Sequence, residues 1–189
     1  MANAETNKLP QAYGGFMKSV IRAMAFAADK HRNQRRKDAE ASPYINHPIA
    51  LADVLTNEAG IEDERVLAAA ILHDTIEDTE TSEQELVRNF GKEIADIVLE
   101  VTDDKSLPKT QRKSLQIEHA PGLSRRAKLV KLADKICNLR DVAHSPPATW
   151  ELDRKREYFD WAKSVVDGLR GVHPELERIF DETYTQKPR

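Results

Sequence analysis

The segment from His73 to Asp78 places four side chains that could do chemistry within six positions of the chain. His73 and Asp74 are potential metal ligands, and Glu77 and Asp78 add two more carboxylates. Residues four apart share one face of a helix, so His73 would lie over Glu77 and Asp74 over Asp78. Because no Lys or Arg occurs between Ala68 and Glu80, like charges would repel by roughly 0.2–0.5 kcal/mol for each pair. A bound divalent cation would remove that repulsion, so the segment predicts a metal site.

Two side chains that are distant in sequence could complete this site. His47 lies in the segment PYINHP, and Asp134 lies in the segment KLADKICN. Two neutral imidazoles and two carboxylates balance a 2+ charge, and this mixed shell suits a first-row transition metal better than calcium or magnesium. His47 could instead cap a turn, and Asp134 could be a solvated helix residue paired with a lysine. The combination of the motifs favours the metal site.

These residues resemble the HD superfamily of metal-dependent phosphohydrolases, whose ligands occur along the chain as His, His-Asp and Asp. The segments RK at 36–37, PYINHP, HDTIEDT, FG at 90–91, VTDDK and LADKICNLR are similar to the hydrolase domain of RelA/SpoT-type alarmone enzymes. The chain is most similar to the stand-alone small alarmone hydrolases of the metazoan SpoT homologue type, from about Met24 to about Gly171. The resemblance implies manganese-dependent removal of the 3′-pyrophosphate of guanosine tetra- and pentaphosphate.

The resemblance also implies a role for individual residues. The expected ligands of one Mn²⁺ ion are His47, His73, Asp74 and Asp134. Glu77 and Asp78 match the pair that activates the attacking water, and either could accept its proton. The expected substrate-binding residues are Arg36, Lys37, Asn138, Arg154 and Tyr158. The implied reaction is hydrolysis by a metal-bound water, whose pKa falls from about 15.7 towards 7.

Three alternatives remain open from the sequence. The same metal chemistry could act on a deoxynucleotide, a cyclic dinucleotide or the 2′-phosphate of NADPH, because metal chemistry does not fix the organic part of a substrate. The chain could also be a non-catalytic sensor that binds a nucleotide through its metal site, although Glu77 and Asp78 are intact. Finally, it could be a helical interaction module whose acidic cluster is incidental.

The elements that must position these residues follow a helical period almost throughout, and no strand alternation or hairpin dipeptide stands out. The first predicted helices span Phe16 to Arg32, Ile45 to Ala59 and Asp63 to Glu77. The later ones span Ser82 to Gly91, Lys92 to Val101, Pro108 to His119, a helix from Ser124 to Pro146 that carries Asp134, Thr149 to Leu169 and Pro174 to Tyr184. The prediction is an all-α, single-domain helical bundle of the HD-domain type at 16–184, after an N-terminal tail at 1–15.

Local positive charge and aromatic residues mark two more regions. A basic patch precedes a predicted loop and consists of Lys30, Arg32, Arg35, Arg36 and Lys37. It could be a solvated helix end, but beside the metal motif we expect it to bind phosphate. Trp150, Phe159 and Trp161 are expected in the core, and Tyr158 either in the core or at the substrate.

Composition bounds the functional class. A length of 189 residues fits one domain, and a net charge of −3 gives no general attraction for nucleic acid. A single cysteine excludes an intramolecular disulfide, and no apolar run is long enough to span a bilayer. Composition therefore predicts a cytoplasmic protein without a nucleic-acid or membrane partner, and the family resemblance implies an enzyme with a small nucleotide substrate. The sequence leaves the oligomeric state and the choice between tetra- and pentaphosphate open.

Overall fold

The computed structural model describes residues 11–189, with side chains described from residue 17. The helices are α1 (Gln11–Lys30), α2 (Asn46–Asp53), α3 (Glu64–Leu72), α4 (Thr75–Asp78), α5 (Glu83–Phe90), α6 (Lys92–Val101), α7 (Lys109–His119), α8 (Arg125–His144), α9 (Leu152–Asp167) and α10 (Pro174–Tyr184). A π-helical turn, Val54–Glu58, follows α2, and a 3₁₀ turn, Ala120–Gly122, follows α7. No β-strand occurs in this part of the chain, so the all-α prediction is confirmed.

The centre of the molecule is built on α3 and α8. Seven consecutive residues of α3, from Val66 to Leu72, are buried, and α3 contacts α1, α2, α6 and α8. Fully burying a Leu or Ile side chain stabilises a fold by about 1.5–3 kcal/mol. The Asp63 side chain caps α3 by accepting from the Arg65 amide, and Ser124 caps α8 by accepting from the Ala127 amide. These two helices hold His73 and Asp134 on rigid supports.

One detail of the predicted helices is wrong, because residues 73–78 do not continue the helix that precedes them. α3 ends at Leu72, and the short helix α4 begins at Thr75. The Thr75 hydroxyl donates to the Leu72 carbonyl over 2.7 Å, and His73 Nδ1 lies 2.8 Å from the Ala70 carbonyl oxygen. Side chains therefore compete with the backbone for carbonyls at the point where α3 ends. Periodicity alone does not detect this competition.

The remaining helices form layers around this centre, mostly within a few residues of their predicted bounds. Ser82 caps α5 through the Glu85 amide, and Gly91, at φ 84°, separates α5 from α6. α9 contacts both α7 and α8, and α10 packs on α8. α1 begins at Gln11, five residues before its predicted start, while residues 1–10 of the predicted tail lie outside the described residues. No described helix is long and apolar enough to cross a membrane.

Candidate active site

Three predicted ligands converge although they are far apart in sequence. His47 lies on α2, His73 directly follows α3, and Asp134 lies on α8. One potential ligand atom from each of them lies within 4.8 Å of the other two. Both histidines are buried, and His47 Nε2 lies 3.3 Å from Asp134 Oδ1. A cluster of two imidazoles and one carboxylate at this separation could hold a metal ion.

The orientation of His73 fits a metal ligand. A carbonyl oxygen can only accept, so the contact with Ala70 requires the proton to be on Nδ1. In the neutral imidazole, Nε2 is then the lone-pair nitrogen that faces the cluster, and it makes no hydrogen bond within the described residues. Leaving a buried polar atom without a partner costs about 1–3 kcal/mol. A divalent cation would satisfy this nitrogen, so the residues present fit such an ion.

Asp74 lies beside the cluster but outside the group of three. Its Oδ2 is 3.0 Å from His73 Nε2 and accepts a hydrogen bond from the Tyr44 hydroxyl. Burial opposes the charged form of His73, but the negative charges of Asp74 and Asp134 outweigh it and raise the pKa of His73 to about 9. Burial also opposes the charged form of Asp134. The Lys135 ammonium and the hydrogen bond with His47 nevertheless hold the pKa of Asp134 well below its ordinary value. Without a cation, the site therefore attracts a proton.

Glu77 lines the same cavity as the ligand cluster. Its Oε2 accepts from the Asp103 amide over 3.1 Å, and its Oε1 lies 3.5 Å from Arg112 Nη1. Burial, followed by the charge of Asp74, raises the pKa of Glu77 from 4.5 to about 7. A carboxylate with a pKa near neutrality is suited to accept and return a proton.

Asp78 has different surroundings from Glu77. Its Oδ1 forms an ion pair with Lys105, and its Oδ2 accepts a hydrogen bond from Gln34 over 2.7 Å. It lines a neighbouring cavity instead of the one with the ligand cluster. The two carboxylates that the sequence treats as a pair are therefore separated by the fold.

Two adjoining cavities make up the site. The inner cavity, about 190 Å³, contains the ligand cluster and Glu77, and the outer cavity measures about 460 Å³. Arg36, Tyr44, Asn138 and Tyr158 line both and so mark their junction. The outer cavity is rich in positive charge, and its basic residues are Arg35, Arg36, Lys37, Lys105 and Lys109.

The predicted substrate residues divide into two groups. Arg36, Lys37, Asn138 and Tyr158 all line the cavities, and Arg36 also forms an ion pair with Asp141. Arg154 lines neither cavity, and its guanidinium carbon lies 4.5 Å from the ring centre of Trp150. Four of the five therefore line the cavities, whereas Arg154 lies against the ring of Trp150, which itself lines the outer cavity.

Several cavity residues have no predicted role in the sequence. Trp150, expected in the core, lines the outer cavity beside Lys109, whose ammonium lies 6.0 Å from its ring centre. Trp161, also expected in the core, lines the inner cavity, whereas Phe159 is fully buried as predicted. Lys105 belongs to the motif VTDDK, and that motif was the sequence signal that could have identified Lys105 as a cavity residue. Nothing comparable marks Lys109, because a lysine at a helix start is common on any surface.

Comparison with known proteins gives consistent matches. The HD domain family model matches residues 23–160. A protein from Xenopus tropicalis named guanosine-3′,5′-bis(diphosphate) 3′-pyrophosphohydrolase MESH1 is 54% identical over 165 residues, covering 87% of this chain and 92% of that protein. The Homo sapiens protein of the same name is 54% identical over 168 residues, covering 89% and 94%.

A solved structure agrees with these matches in three dimensions. It is described as a metazoan ortholog of SpoT that hydrolyzes ppGpp and plays a role in starvation responses. Its TM-score with this chain is 0.86 at 50% identity, covering 89% of this chain and 94% of that one. The chain therefore belongs to the HD-domain family and, within it, groups with these MESH1 proteins.

Proposed function

We propose that this chain is a divalent-metal-dependent hydrolase that removes the 3′-pyrophosphate of guanosine tetra- and pentaphosphate. The observation that carries the proposal is the convergence of His47, His73 and Asp134 beside Glu77 in a cavity that opens into a basic one. The MESH1 relatives carry this activity in their names, at 54% identity over most of both chains. For the tetraphosphate, the products are GDP and pyrophosphate.

The metal site is proposed to consist of His47, His73 and Asp134, with Asp74 as the fourth ligand. Asp74 is close to His73 Nε2, and the Tyr44 hydroxyl fixes its carboxylate. The mixed nitrogen and oxygen set favours a first-row transition metal, and we propose Mn²⁺. Such an ion supplies Lewis-acid polarisation of the phosphate and a lower pKa for water. One ion for each chain is expected.

Glu77 is proposed as the proton acceptor in preference to Asp78, because Glu77 lines the cavity that contains the ligand cluster, whereas Asp78 lines only the neighbouring cavity. Water attacks the phosphorus bonded to O3′ while Glu77 takes one of its protons. The O3′–P bond then breaks, the water oxygen remains on the pyrophosphate, and O3′ receives a proton from Glu77. Arg36 at the cavity junction would offset charge that develops on the phosphoryl oxygens.

The nucleoside diphosphate end of the substrate is proposed to occupy the outer cavity. Lys37, Lys105 and Lys109 supply positive charge for the 5′-phosphates, and Trp150 and Tyr158 supply aromatic faces. Asn138 lies between the two cavities, and Arg154 would act through Trp150. A small-molecule site of this kind needs no nucleic-acid partner.

We also propose a cytoplasmic location. The one cysteine, Cys137, is buried and unpaired, which is compatible with a reducing compartment. Fractionation of cells that express the tagged full chain would test this, and recovery in a secreted fraction would contradict it.

The decisive assay compares guanosine 3′,5′-bispyrophosphate with NADPH. Metal-stripped protein is reconstituted with Mn²⁺, Mg²⁺ or Zn²⁺, and release of pyrophosphate and orthophosphate is measured for each substrate. The expected result is pyrophosphate release from the guanosine nucleotide, highest with Mn²⁺ and abolished by a chelator. Orthophosphate release from NADPH alone would replace this function with the nicotinamide one. Stoichiometric nucleotide binding without turnover would instead indicate a sensor.

A further inference from the structure

Two buried lysines line the inner cavity without a role in the proposed reaction. Lys131 and Lys135 both lie on α8, one helical turn apart, and are only 7% and 3% exposed. Lys131 donates one hydrogen bond, to the Val101 carbonyl over 2.9 Å, and has no carboxylate within 4.0 Å in the described residues. Lys135 donates to Asp134 over 3.0 Å. An ammonium has three donors, so most of their capacity is unused.

A buried cation without an anionic partner is expensive, because several kcal/mol of hydration are lost. Proteins retain such a group where something else supplies the negative charge. Here Lys131 lines the inner cavity, which also contains the ligand cluster. The ammonium of its neighbour Lys135 lies 4.4 Å from the ring centre of Trp161. The arrangement therefore fits an anion that enters the inner cavity during the reaction.

The position of the lysines within the cavity identifies which anion this is. Arg36, Tyr44, Asn138 and Tyr158 mark the junction through which the nucleotide would reach the ligand cluster. Besides the inner cavity, Lys131 borders a further cavity that shares no lining residue with the outer one, so it lies on the side of the inner cavity away from that junction. If the reacting phosphorus sits at the cluster, the group that projects past it is the outer phosphate of the 3′-pyrophosphate.

We propose that Lys131 and Lys135 bind the outer phosphate of the 3′-pyrophosphate and so select a pyrophosphate over a monophosphate at the reacting position. This assignment rests on the proposed function and adds the basis of its specificity. Ammonium groups suit this role because each donates several charge-assisted hydrogen bonds to phosphate oxygens. A substrate with only one phosphate at this position leaves Lys131 without an anion, while Lys135 keeps its contact with Asp134.

The test uses two substrates that differ only in the outer phosphate, guanosine 5′-diphosphate 3′-diphosphate and guanosine 5′-diphosphate 3′-monophosphate. Lys131→Met keeps an unbranched side chain, shorter by the terminal nitrogen alone, and removes the charge. Since a hydrogen bond to a charged group is worth about 1.5–3 kcal/mol, kcat/KM for the 3′-diphosphate should fall about 10- to 100-fold. The value for the 3′-monophosphate should change less than about threefold, and the metal content should not change.

Lys113→Met is the matched control. Lys113 lies 4.6 Å from the ring centre of Trp161, on the same aromatic side chain as Lys135, but it lines neither the inner nor the outer cavity. Its removal should leave the ratio of the two kcat/KM values as in the unmodified protein. An equal fall for both substrates in Lys131→Met, or an equal change of the ratio in Lys113→Met, would overturn the assignment.

The unmodified protein provides a test that does not depend on the folding of a variant. We expect it to prefer the 3′-diphosphate by at least about tenfold in kcat/KM, because only that substrate reaches the lysines. Equal values for the two substrates would overturn the assignment while leaving the proposed hydrolase intact. Failure to hydrolyse either one with any divalent cation would instead refute the proposed function itself.

Discussion

Replacement of Glu77 by glutamine is the sharpest test of the proton acceptor. The substitution keeps the size of the side chain, and its amide oxygen can still accept from the Asp103 amide, which now lies 3.1 Å from Glu77 Oε2. The change therefore removes the proton-accepting carboxylate with little effect on packing. General base catalysis contributes about 10²–10⁴-fold, so kcat should fall by that factor. In barrier height this is roughly 3–5 kcal/mol.

The same substitution should raise the stability of the metal-free protein above pH 7, although it lowers the activity. The pKa of Glu77 is about 7 in the folded, metal-free protein against an ordinary value of 4.5. Between these values the folded state holds a proton that the unfolded state releases, so stability falls as the pH rises from 4.5 to 7. At about 1.36 kcal/mol for each pKa unit, the charged carboxylate destabilises the fold above pH 7 by up to roughly 3 kcal/mol. Glutamine carries no charge and avoids this loss.

The assay combines single-turnover kinetics with thermal denaturation of the metal-free protein. Glu77→Gln should bind stoichiometric Mn²⁺, turn over slowly, and melt at a higher temperature than the unmodified protein at pH 8 but not at pH 5. Asp78→Asn is the comparison variant, because Asp78 does not line the cavity that contains the ligand cluster. Full activity in Glu77→Gln would refute the proton-transfer role. A melting difference that does not depend on pH would refute the account of its charge.

The remaining predictions concern the metal, the setting of Glu77 and a helix cap. His73→Ala should lose both metal and turnover. In the unmodified protein, Mn²⁺ affinity should rise with pH up to about 9, the pKa of His73, because metal binding displaces its proton. Calorimetry in buffers of different ionisation enthalpy would detect that proton, and a pH-independent affinity would contradict the prediction. Arg112→Gln removes a cation 3.5 Å from Glu77 and should move the acid limb of the pH–rate profile upward, whereas Arg126→Gln, which breaks a pair with Asp63, should not. Ser124→Ala should destabilise the protein by about 1 kcal/mol in denaturant unfolding, because it deletes the cap of α8; an unchanged unfolding midpoint would argue against the cap.

The sequence is informative about the fold where local signals are strong. Ser82 and Ser124 mark helix starts, and Gly91 and the Pro146-Pro147 pair mark helix ends, because each acts through its own backbone or cap geometry. The break after Leu72 was not predictable in this way. Two side chains compete for the carbonyls of Ala70 and Leu72 at this break, and an apolar helical period does not record that competition.

The candidate site shows a similar division. Residues such as His47 and Asp134 can be singled out only in combination, because the order His, His-Asp and Asp resembles a known ligand pattern while each residue alone does not indicate a metal. Trp150 and Trp161 were expected in the core because aromatic periodicity usually means burial, and only the fold shows that each faces a cavity. The separation of Glu77 from Asp78 depends on contacts with Lys105 and Gln34, which come from distant parts of the chain.

The contact of His73 with the Ala70 carbonyl has a consequence for how this centre tolerates mutation. The acceptor is main chain, so exchanging the side chain at position 70 cannot delete it. On its Nδ1 side, the imidazole is therefore oriented by the conformation of one helical turn, while Asp74 contacts the opposite nitrogen. Substitutions nearby can change the packing around the histidine, but this hydrogen bond is retained as long as the turn keeps its helical conformation.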